Sequence, residues 1–328
     1  PASFWEKYEY FIRHSAGLGK SPTEKDPDIY DHRHVHCDVL VVGAGISGIL
    51  AAKNAAKNNF KTLLVDEKNE LGGATIYQNR EFNIIEGLSS SDWIKKEIQE
   101  LKGIKNLEIK TRTSVAAYHG YNYLLARENL TDHLEKKDKQ GKIRQRLLKI
   151  RAKKVILATG ALERPLIFNN NDRPGIMLSS AVKKYADFYG VVSGKKNVFF
   201  TNNDSAYESA LCLHNKGIKV EAVIDIREKS ESKIVKAVED AGIAIHWSHT
   251  IVDTKGYKRL NSISVMKLSN DGLSVTGNKI DISCDCLGVA GGWTPAVHLF
   301  TQSGGKLTFD ENDKVFLPNK YPSDQLSV

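Results

Sequence analysis

Cysteine is scarce in this sequence, which has four in 328 residues. No two of them form a C-x-x-C pair and none has the spacing of zinc ligands, so neither a dithiol redox centre nor a structural zinc site is expected. Unpaired cysteines at this low frequency favour reduced thiols in a cytoplasmic protein. Cys284 and Cys286 stand two residues apart, and we interpret them as thiols on one face of a buried strand.

Long apolar runs are also absent. The longest, VLVVGAGISGILAA, is shorter than the ~20 residues of a membrane helix and is interrupted by glycine. The first twenty residues lack the apolar core of a secretory signal. From the short apolar runs we expect no membrane association. The chain does not begin with Met, so we expect a piece of a longer polypeptide.

Aromatic residues are missing from the most basic stretch, HLEKKDKQGKIRQRLLKIRAKK (133–154). Single-stranded nucleic-acid sites combine basic with aromatic side chains, so we interpret this stretch as a solvated hairpin and predict no nucleic-acid partner. The net charge of +8 leaves an acidic partner surface open. The alternating His32, His34 and His36 lack the further ligands of a tetrahedral zinc, and they are interpreted as the polar face of a strand.

The strongest positive signal is CDVLVVGAGISGILAAKNAAKNNFKTLLVDEKNELGG (37–73). An apolar strand, Val39–Val42, leads into G-x-G-x-x-G, whose glycines permit a tight turn, a close pyrophosphate approach and close helix packing. The helix that follows presents free N–H groups to phosphate. The next strand ends at Asp66 and Glu67, either of which places a carboxylate where a ribose hydroxyl binds and a 2′-phosphate is repelled. The pattern predicts a dinucleotide site.

A second G-x-G-x-x-G is missing where the layout calls for one. Residues 197–225 read as strand, helix and strand, but their turn is TNNDSA, with Thr201, Asn203 and Ala206 at the glycine positions. We expect these side chains to cap a helix that begins near Ser205, with Ser205 and Glu208 as a capping box. The turn would then be closed to a dinucleotide; weak nucleotide binding through Asp225 is the alternative.

The rest of the chain supports an α/β fold with tandem Rossmann domains, the second inserted in the first. Residues 4–16 predict a short helix, followed by an extended segment, and residues 107–154 an antiparallel meander that feeds a buried strand, Val155–Ala158. Strands ending in ATGALERP and AGGWTP bracket the second unit. The predicted parts are an N-terminal arm (1–37), a first dinucleotide-binding domain (38–168 and 284–328) and a second Rossmann-like domain (169–283).

The order GAGISG, VDEKNELGG, ATG, TNNDSA and AGGWTP resembles the glutathione and thioredoxin reductase class of tandem dinucleotide-binding flavoproteins. The longer phrases ATGALERPLIFNNNDRPGIM and GGWTPAVHLFTQSGGKL, with the N-terminal arm, resemble the α subunits of heterotetrameric sarcosine oxidases. In that family the first site holds a noncovalent NAD. FAD and a covalent flavin (FMN) lie in the β subunit or at the α/β interface, and a further α domain transfers a one-carbon unit to tetrahydrofolate.

The resemblance therefore implies β, γ and δ partner subunits and sarcosine as substrate of the complex. No Ser-His-acid or Cys-His set has supporting context in the sequence, so we assign no catalytic residue. The chain ends before the folate domain, at YPSDQLSV. FAD in the same site is the alternative ligand. The predicted cofactor-binding residues are Gly43, Ala44, Gly45, Ile46, Ser47, Gly48, Asp66, Glu67, Lys68, Gly73, Ala74, Thr75, Val115, Thr159 and Gly160.

A pure interaction module with no ligand is one alternative, and two further readings stay open. One is the α subunit of a related opine oxidase, hydrogen cyanide synthase or dye-linked proline dehydrogenase complex. The other is a stand-alone FAD-dependent pyridine nucleotide oxidoreductase, which predicts a redox dithiol and a glycine-bearing second turn. The sequence contains neither of these features.

Overall fold

The computed structural model describes residues 4–19, 22–77 and 84–321. The helices are α1 (Trp5–Ser15), α2 (Ile46–Lys57), α3 (Ser90–Leu101), α4 (Lys136–Lys139), α5 (Ser179–Asp187), α6 (Ser205–Asn215), α7 (Lys233–Asp240) and α8 (His298–Gln302). A short 3₁₀ helix covers Gly73–Tyr77. Within the described ranges, no helix is long and apolar enough to cross a bilayer.

The strands of the first half are β1 (Ile29–Val42), β2 (Thr62–Val65), β3 (Ile84–Ile85), β4 (Leu88–Ser89), β5 (Leu107–Lys110), β6 (Thr113–His119), β7 (Tyr123–Asn129), β8 (Ile143–Leu157) and β9 (Ala161–Glu163). Those of the second half are β10 (Ile176–Leu178), β11 (Asn197–Thr201), β12 (Val220–Asp225), β13 (Ala244–Trp247), β14 (His249–Lys255), β15 (Ser262–Leu268), β16 (Val275–Ser283), β17 (Cys286–Ala290), β18 (Trp293–Pro295), β19 (Lys306–Asp310) and β20 (Val315–Lys320).

The first unit is a six-stranded sheet in the order β5-β2-β1-β8-β7-β6. Its strands β5, β2, β1 and β8 run parallel, whereas β7 and β6 add the predicted antiparallel meander. All four side chains of β2 are buried, as expected for a strand covered on both faces. Helices α2 and α3 cover one face, where Ile49, Ala52 and Trp93 pack on the sheet.

Strand β1 is longer than the sequence predicted. It begins at Ile29 and pairs with β8 along its whole length, so the predicted boundary between arm and first domain, at residues 37 and 38, lies inside a strand. The three alternating histidines, His32, His34 and His36, are exposed on this strand. The outer part of β1 is mostly exposed because it pairs with β8 alone, whereas its inner part is buried between β2 and β8.

The second unit is a five-stranded parallel sheet in the order β10-β17-β11-β12-β13. Helices α5, α6 and α7 bury one face, around Phe199 and Tyr207. A three-stranded antiparallel sheet, β14-β15-β16, packs on the other, where Ile263 and Val265 are fully buried. Two α/β units, one carrying a meander and one inserted between its segments, confirm the predicted tandem arrangement.

The predicted start of the returning segment, at residue 284, is wrong. Strand β17 belongs to the second sheet, where it lies between β10 and β11. The chain returns to the first unit through β18, which pairs with β9 as a two-stranded antiparallel ribbon. The prediction failed because an apolar strand ending in small residues fits either sheet, and only its long-range pairing decides between them.

The prediction that Cys284 and Cys286 share one face of a strand is also wrong. Cys286 begins β17 and is buried under α5 and α6, whereas Cys284 lies before the strand, in the core beneath the three-stranded sheet. They therefore face opposite sides of the second sheet, rather than sharing one face.

Candidate dinucleotide site

The glycine-rich turn between β1 and α2 has the geometry that its spacing predicts. Gly43 has a φ of +98°, and a Cβ there would lie 2.2 Å from the Ala158 carbonyl oxygen, just after the neighbouring strand β8. A Cβ on Gly48 would lie 1.8 Å from the Gly43 oxygen, so only glycine lets α2 pack this closely on the turn. Both glycines are thus required by the fold itself.

Gly45 differs from its two neighbours in the motif. A Cβ built on Gly45 meets nothing within 4 Å, so the protein itself does not need glycine here. Gly45 is also the N-cap of α2, and no side chain caps that helix. The first N–H groups of α2, on Ile46 and Ser47, therefore face an open cradle at the positive end of the helix dipole, which suits a phosphate.

The two adjacent carboxylates at the end of β2 have different surroundings. Asp66 is buried, and its Oδ2 accepts a hydrogen bond from the Ala44 N–H at 2.6 Å, while its Oδ1 accepts from the Lys68 N–H at 2.8 Å. Glu67 is exposed beside it. Asp66 therefore holds the turn in shape, and Glu67 is left free to accept from a ribose hydroxyl.

A second glycine pair closes against the first turn. The Gly72 N–H donates to the Ala44 carbonyl oxygen at 2.7 Å, and a Cβ on Gly73 would lie 3.0 Å from the Gly45 Cα. Ala74 and Thr75 follow in the 3₁₀ helix. This segment brings the LGG part of the motif beside the cradle.

The residue after β2 is hydrogen-bonded to the start of β6. The Thr113 N–H donates to the Asp66 carbonyl oxygen at 2.8 Å, and Val115 lies two residues further along the same strand. Lys68 follows Glu67 in the chain, and Val115 lies on the strand that begins beside Asp66. Neither they nor Glu67 line the main cavity described next.

A cavity of about 700 Å³ opens from the cradle toward the end of β8. Of the predicted site residues, those that line it are Gly45, Ile46, Ser47, Ala74, Thr75, Thr159 and Gly160. Thr159 and Gly160 are joined to the returning segment, because the Thr159 hydroxyl donates to the Ala296 oxygen at 2.7 Å and the Ala296 N–H to the Gly160 oxygen at 3.0 Å.

Sequence reasoning missed the far wall of this cavity, which is formed by Tyr118, Val155, Ile156, Leu157, Ala158, Pro295, Ala296, Val297, Phe300, Ser303, Pro318 and Tyr321. These residues come from β6, from the end of β8 and the residue after it, and from the chain from the end of β18 onward, and no local motif connects them. Ile156 is 38% exposed, so the predicted buried strand Val155–Ala158 is open on its cavity side.

The second unit carries no such cradle. Thr201 is fully buried, and its hydroxyl donates to the Asn203 oxygen at 2.8 Å and accepts from the Asn203 N–H at 3.0 Å. Asn203 Oδ1 accepts from the Ser205 N–H at 3.0 Å, at the first position of α6. Side chains therefore fill the turn and use its N–H groups.

The predicted capping box is absent. Ser205 donates its hydroxyl to Asn203 Oδ1 at 2.6 Å, and Glu208 forms an ion pair with Lys183 at 2.9 Å. The packing of α5 against α6 brings Lys183 to Glu208, which a local sequence pattern does not reveal.

Asp225 occupies the position of a ribose-binding acid in the second unit but is fully buried. Its Oδ2 accepts from the Tyr207 hydroxyl and from Arg227 Nη2, each at 2.8 Å, and Arg227 also reaches Asp204 at 2.8 Å. Burial and the adjacent carboxylate raise the pKa of Tyr207. The Asp225 carboxylate is thus already bound by this chain's own donors.

The four cysteines, all within the described residues, are free and buried. Burial raises the pKa of Cys284 and of Cys286 to about 12, because the thiolate would lose its solvation there. Neutral thiols on opposite sides of a sheet do not form a dithiol centre.

Residues 37–321 match the pyridine nucleotide-disulphide oxidoreductase family. The chain is also 39% identical over 311 residues to sarcosine oxidase subunit alpha from Corynebacterium sp. (strain P-1), which covers 94% of this chain and 32% of that protein. Overall, it spans about a third of the length of the curated sarcosine oxidase alpha subunits that it matches.

Two solved structures have a similar fold. T. acidophilum thioredoxin reductase gives a TM-score of 0.62 at 18% identity, over 89% of this chain and 92% of that one. L-Proline dehydrogenase from P. horikoshii gives a TM-score of 0.61 at 21% identity, over 92% of this chain and 50% of that one. At these identities the likeness concerns the fold alone.

The fold is thus that of a tandem FAD/NAD-binding Rossmann-type protein, with the glycine motif in the first unit. Because the match extends over most of the sequence, the chain belongs to the pyridine nucleotide-disulphide oxidoreductase family, and it is similar to the alpha subunits of sarcosine oxidase.

Proposed function

We propose that this chain is the NAD-binding part of the α subunit of a sarcosine oxidase-like complex. The complete complex would oxidatively demethylate sarcosine to glycine, form peroxide and pass the one-carbon unit to tetrahydrofolate. In this proposal β, γ and δ subunits complete the assembly, and FAD and the covalent FMN lie in the β subunit or at its interface. The similarity to sarcosine oxidase alpha subunits supports this assignment.

One observation carries the cofactor proposal: the first turn is open and the second is filled. Gly45 leaves space above the start of α2, whereas Thr201 and Asn203 occupy the matching space beside α6. A reductase that passes hydride from a pyridine nucleotide to a flavin needs both sites. A chain that holds one dinucleotide needs only the first.

The residues present fit a dinucleotide with an unmodified ribose. The N–H groups at the start of α2 would bind the pyrophosphate, and Glu67 would accept from the ribose hydroxyls and repel a 2′-phosphate. A nicotinamide supplies hydride-transfer chemistry when bound. In this proposal the chain's residues bind and orient the dinucleotide, and we assign none of them a catalytic role.

Free, buried cysteines fit a cytoplasmic location, which we include in the proposal. The proposed binding of NAD requires neither a dithiol nor a membrane segment.

Identification of the bound nucleotide tests the proposal. Purified chain is denatured by heat, and the released nucleotide is identified by mass spectrometry. Release of NAD supports the proposal. Release of FAD without NAD contradicts the cofactor assignment and favours the second candidate, a flavoprotein with the fold of the thioredoxin reductases.

A further inference from the structure

Both connections between the two units run through the ribbon β9–β18. Strand β9 follows Thr159 and Gly160 directly, and β18 ends at Pro295, beside Ala296. All four of these residues line the dinucleotide cavity. The ribbon therefore links the second unit directly to the cavity.

Arg164, the residue after β9, reaches back to the first unit. Its Nη1 donates to the Lys314 carbonyl oxygen at 2.9 Å, and its Nη2 lies 3.4 Å from the Asp313 oxygen, in the turn between β19 and β20. Its backbone is held by the returning strand, because the Arg164 N–H donates to the Gly292 oxygen at 2.8 Å and the Gly291 N–H to the Arg164 oxygen at 2.6 Å.

The glycines of AGGWTP make room for this arginine. A Cβ on Gly291 would lie 2.8 Å from the Pro165 oxygen and 2.9 Å from the Arg164 oxygen, and a Cβ on Gly292 would lie 2.9 Å from Arg164 Nη2. Gly292 also has a φ of +98°, which side-chain-bearing residues rarely adopt. The two glycines thus leave room for the Arg164–Pro165 backbone and for the Arg164 guanidinium.

Glu163, the preceding residue, reaches the other unit. It is 9% exposed, and its Oε2 accepts from the Ser180 N–H at 2.9 Å, in the first turn of α5. Neighbouring side chains of a strand point in opposite directions, so consecutive ribbon residues engage both units.

The anchored hairpin β19–β20 forms part of the cavity. Pro318 lies in β20 and Tyr321 follows it, and both line the cavity together with Phe300. The rings of Phe300 and Tyr321 are 5.4 Å apart in an edge-on arrangement. Without the Arg164 contacts to Asp313 and Lys314 the hairpin would shift, and this wall of the cavity would shift with it.

We propose that Arg164 and Glu163 are positioning residues of the dinucleotide site, which hold the β19–β20 hairpin against the cavity and tie it to α5 of the second unit. The second unit, although closed to nucleotide, thereby braces the first site. This inference rests on the proposed function, since it concerns the affinity of the proposed NAD site.

The test uses Arg164→Ala in the 328-residue chain, with NAD titrated by calorimetry. The lost charged hydrogen bonds are expected to weaken NAD binding about tenfold. Hydrogen exchange in the nucleotide-free chain should rise within residues 306–320 and stay unchanged in α6. Arg173→Ala is the matched control, because Arg173 donates to the Gly256 and Thr254 oxygens within the second unit alone; its NAD affinity should stay within about twofold of wild type.

Variants of Glu163 provide a second test. Glu163→Ala removes the acceptor for the Ser180 N–H and should also weaken NAD binding, whereas Glu163→Gln keeps an acceptor and should restore affinity to within about twofold. Unchanged affinity and exchange in Arg164→Ala would overturn the inference, and so would a uniform rise of exchange over the whole chain.

The two proposals fail in different ways. A wild-type chain that binds no NAD contradicts the proposed function, and the exchange of residues 306–320 then decides alone whether Arg164 anchors the hairpin.

Discussion

At the residue scale, the adjacent carboxylates of Asp66 and Glu67 have different roles. Asp66 turns inward and satisfies the N–H groups of Ala44 and Lys68, whereas Glu67 stays in solvent. The sequence left the ribose-binding acid open between them, and burial favours Glu67.

Glu67→Gln should leave the fold intact and weaken NAD binding about tenfold, because a charge-assisted bond to the ribose becomes a neutral one. Its preference for NAD over NADP should also fall, as the 2′-phosphate is no longer repelled. Calorimetric titration with both nucleotides measures this. An unchanged NAD affinity would remove Glu67 from the site.

Asp66→Asn is the companion change. An amide supplies only one acceptor, so one of the two N–H groups that Asp66 now satisfies loses its partner, and the free energy of unfolding should fall by about 1–3 kcal/mol. Urea unfolding measures the loss. Stability equal to wild type would contradict the role of Asp66 in holding the turn.

Gly45 and Gly48 form a second matched pair. Gly45→Ala should fold normally, since its Cβ meets no protein atom within 4 Å, but it should bind NAD at least about tenfold, or about 1.4 kcal/mol, more weakly. Gly48→Ala places a Cβ 1.8 Å from the Gly43 oxygen and should cost about 1–3 kcal/mol of stability. Urea unfolding and NAD titration of both variants check the pair; a stable Gly48→Ala chain would contradict the packing described.

Glu163 gives a pH-dependent prediction. Burial raises the pKa of this carboxyl above its ordinary 4.5, against the opposing effect of its bonds to Ser180. The folded state therefore holds the proton more tightly than the unfolded state, so the stability from this group is complete below pH 4.5 and is lost as pH rises through the folded pKa. Glu163→Gln should gain stability relative to wild type as pH rises from 4.5 to 8. Urea unfolding across this range tests it, and a constant difference would contradict it.

At the element scale, the TNNDSA turn is closed by its own side chains. Replacing Thr201 and Asn203 by glycine should loosen the start of α6 by up to ~1 kcal/mol per lost bond. It should not create a second NAD site, because Arg227 and Tyr207 still bind Asp225. Equilibrium dialysis measures the number of NAD molecules bound per chain. A second tight site in this variant would mean that the turn alone excludes the nucleotide.

Local patterns predicted those elements whose causes are local. The turn after β1, the meander and the closed second turn all follow from neighbouring residues. Strand β17 was assigned to the wrong unit because the residues it pairs with, in β10 and β11, lie 89 or more positions away in the sequence. The distant walls of the cavity, Tyr118, Phe300 and Tyr321, carried no signal for the same reason.

At the scale of the whole molecule, the proposed division of labour places the flavins outside this chain. The isolated chain should therefore show no sarcosine-dependent peroxide formation, because NAD alone supplies no oxygen-reactive centre. A peroxidase-coupled assay on flavin-free protein checks this. Robust turnover would contradict the proposal.

The central claim is that one unit binds a dinucleotide and the other does not. Counting NAD per chain at saturation, by equilibrium dialysis of protein at known concentration, tests this most directly. We predict one NAD per wild-type chain, a clearly weaker single site in Gly45→Ala, and one NAD retained in the variant with glycine at 201 and 203. Two NAD molecules per wild-type chain would contradict it.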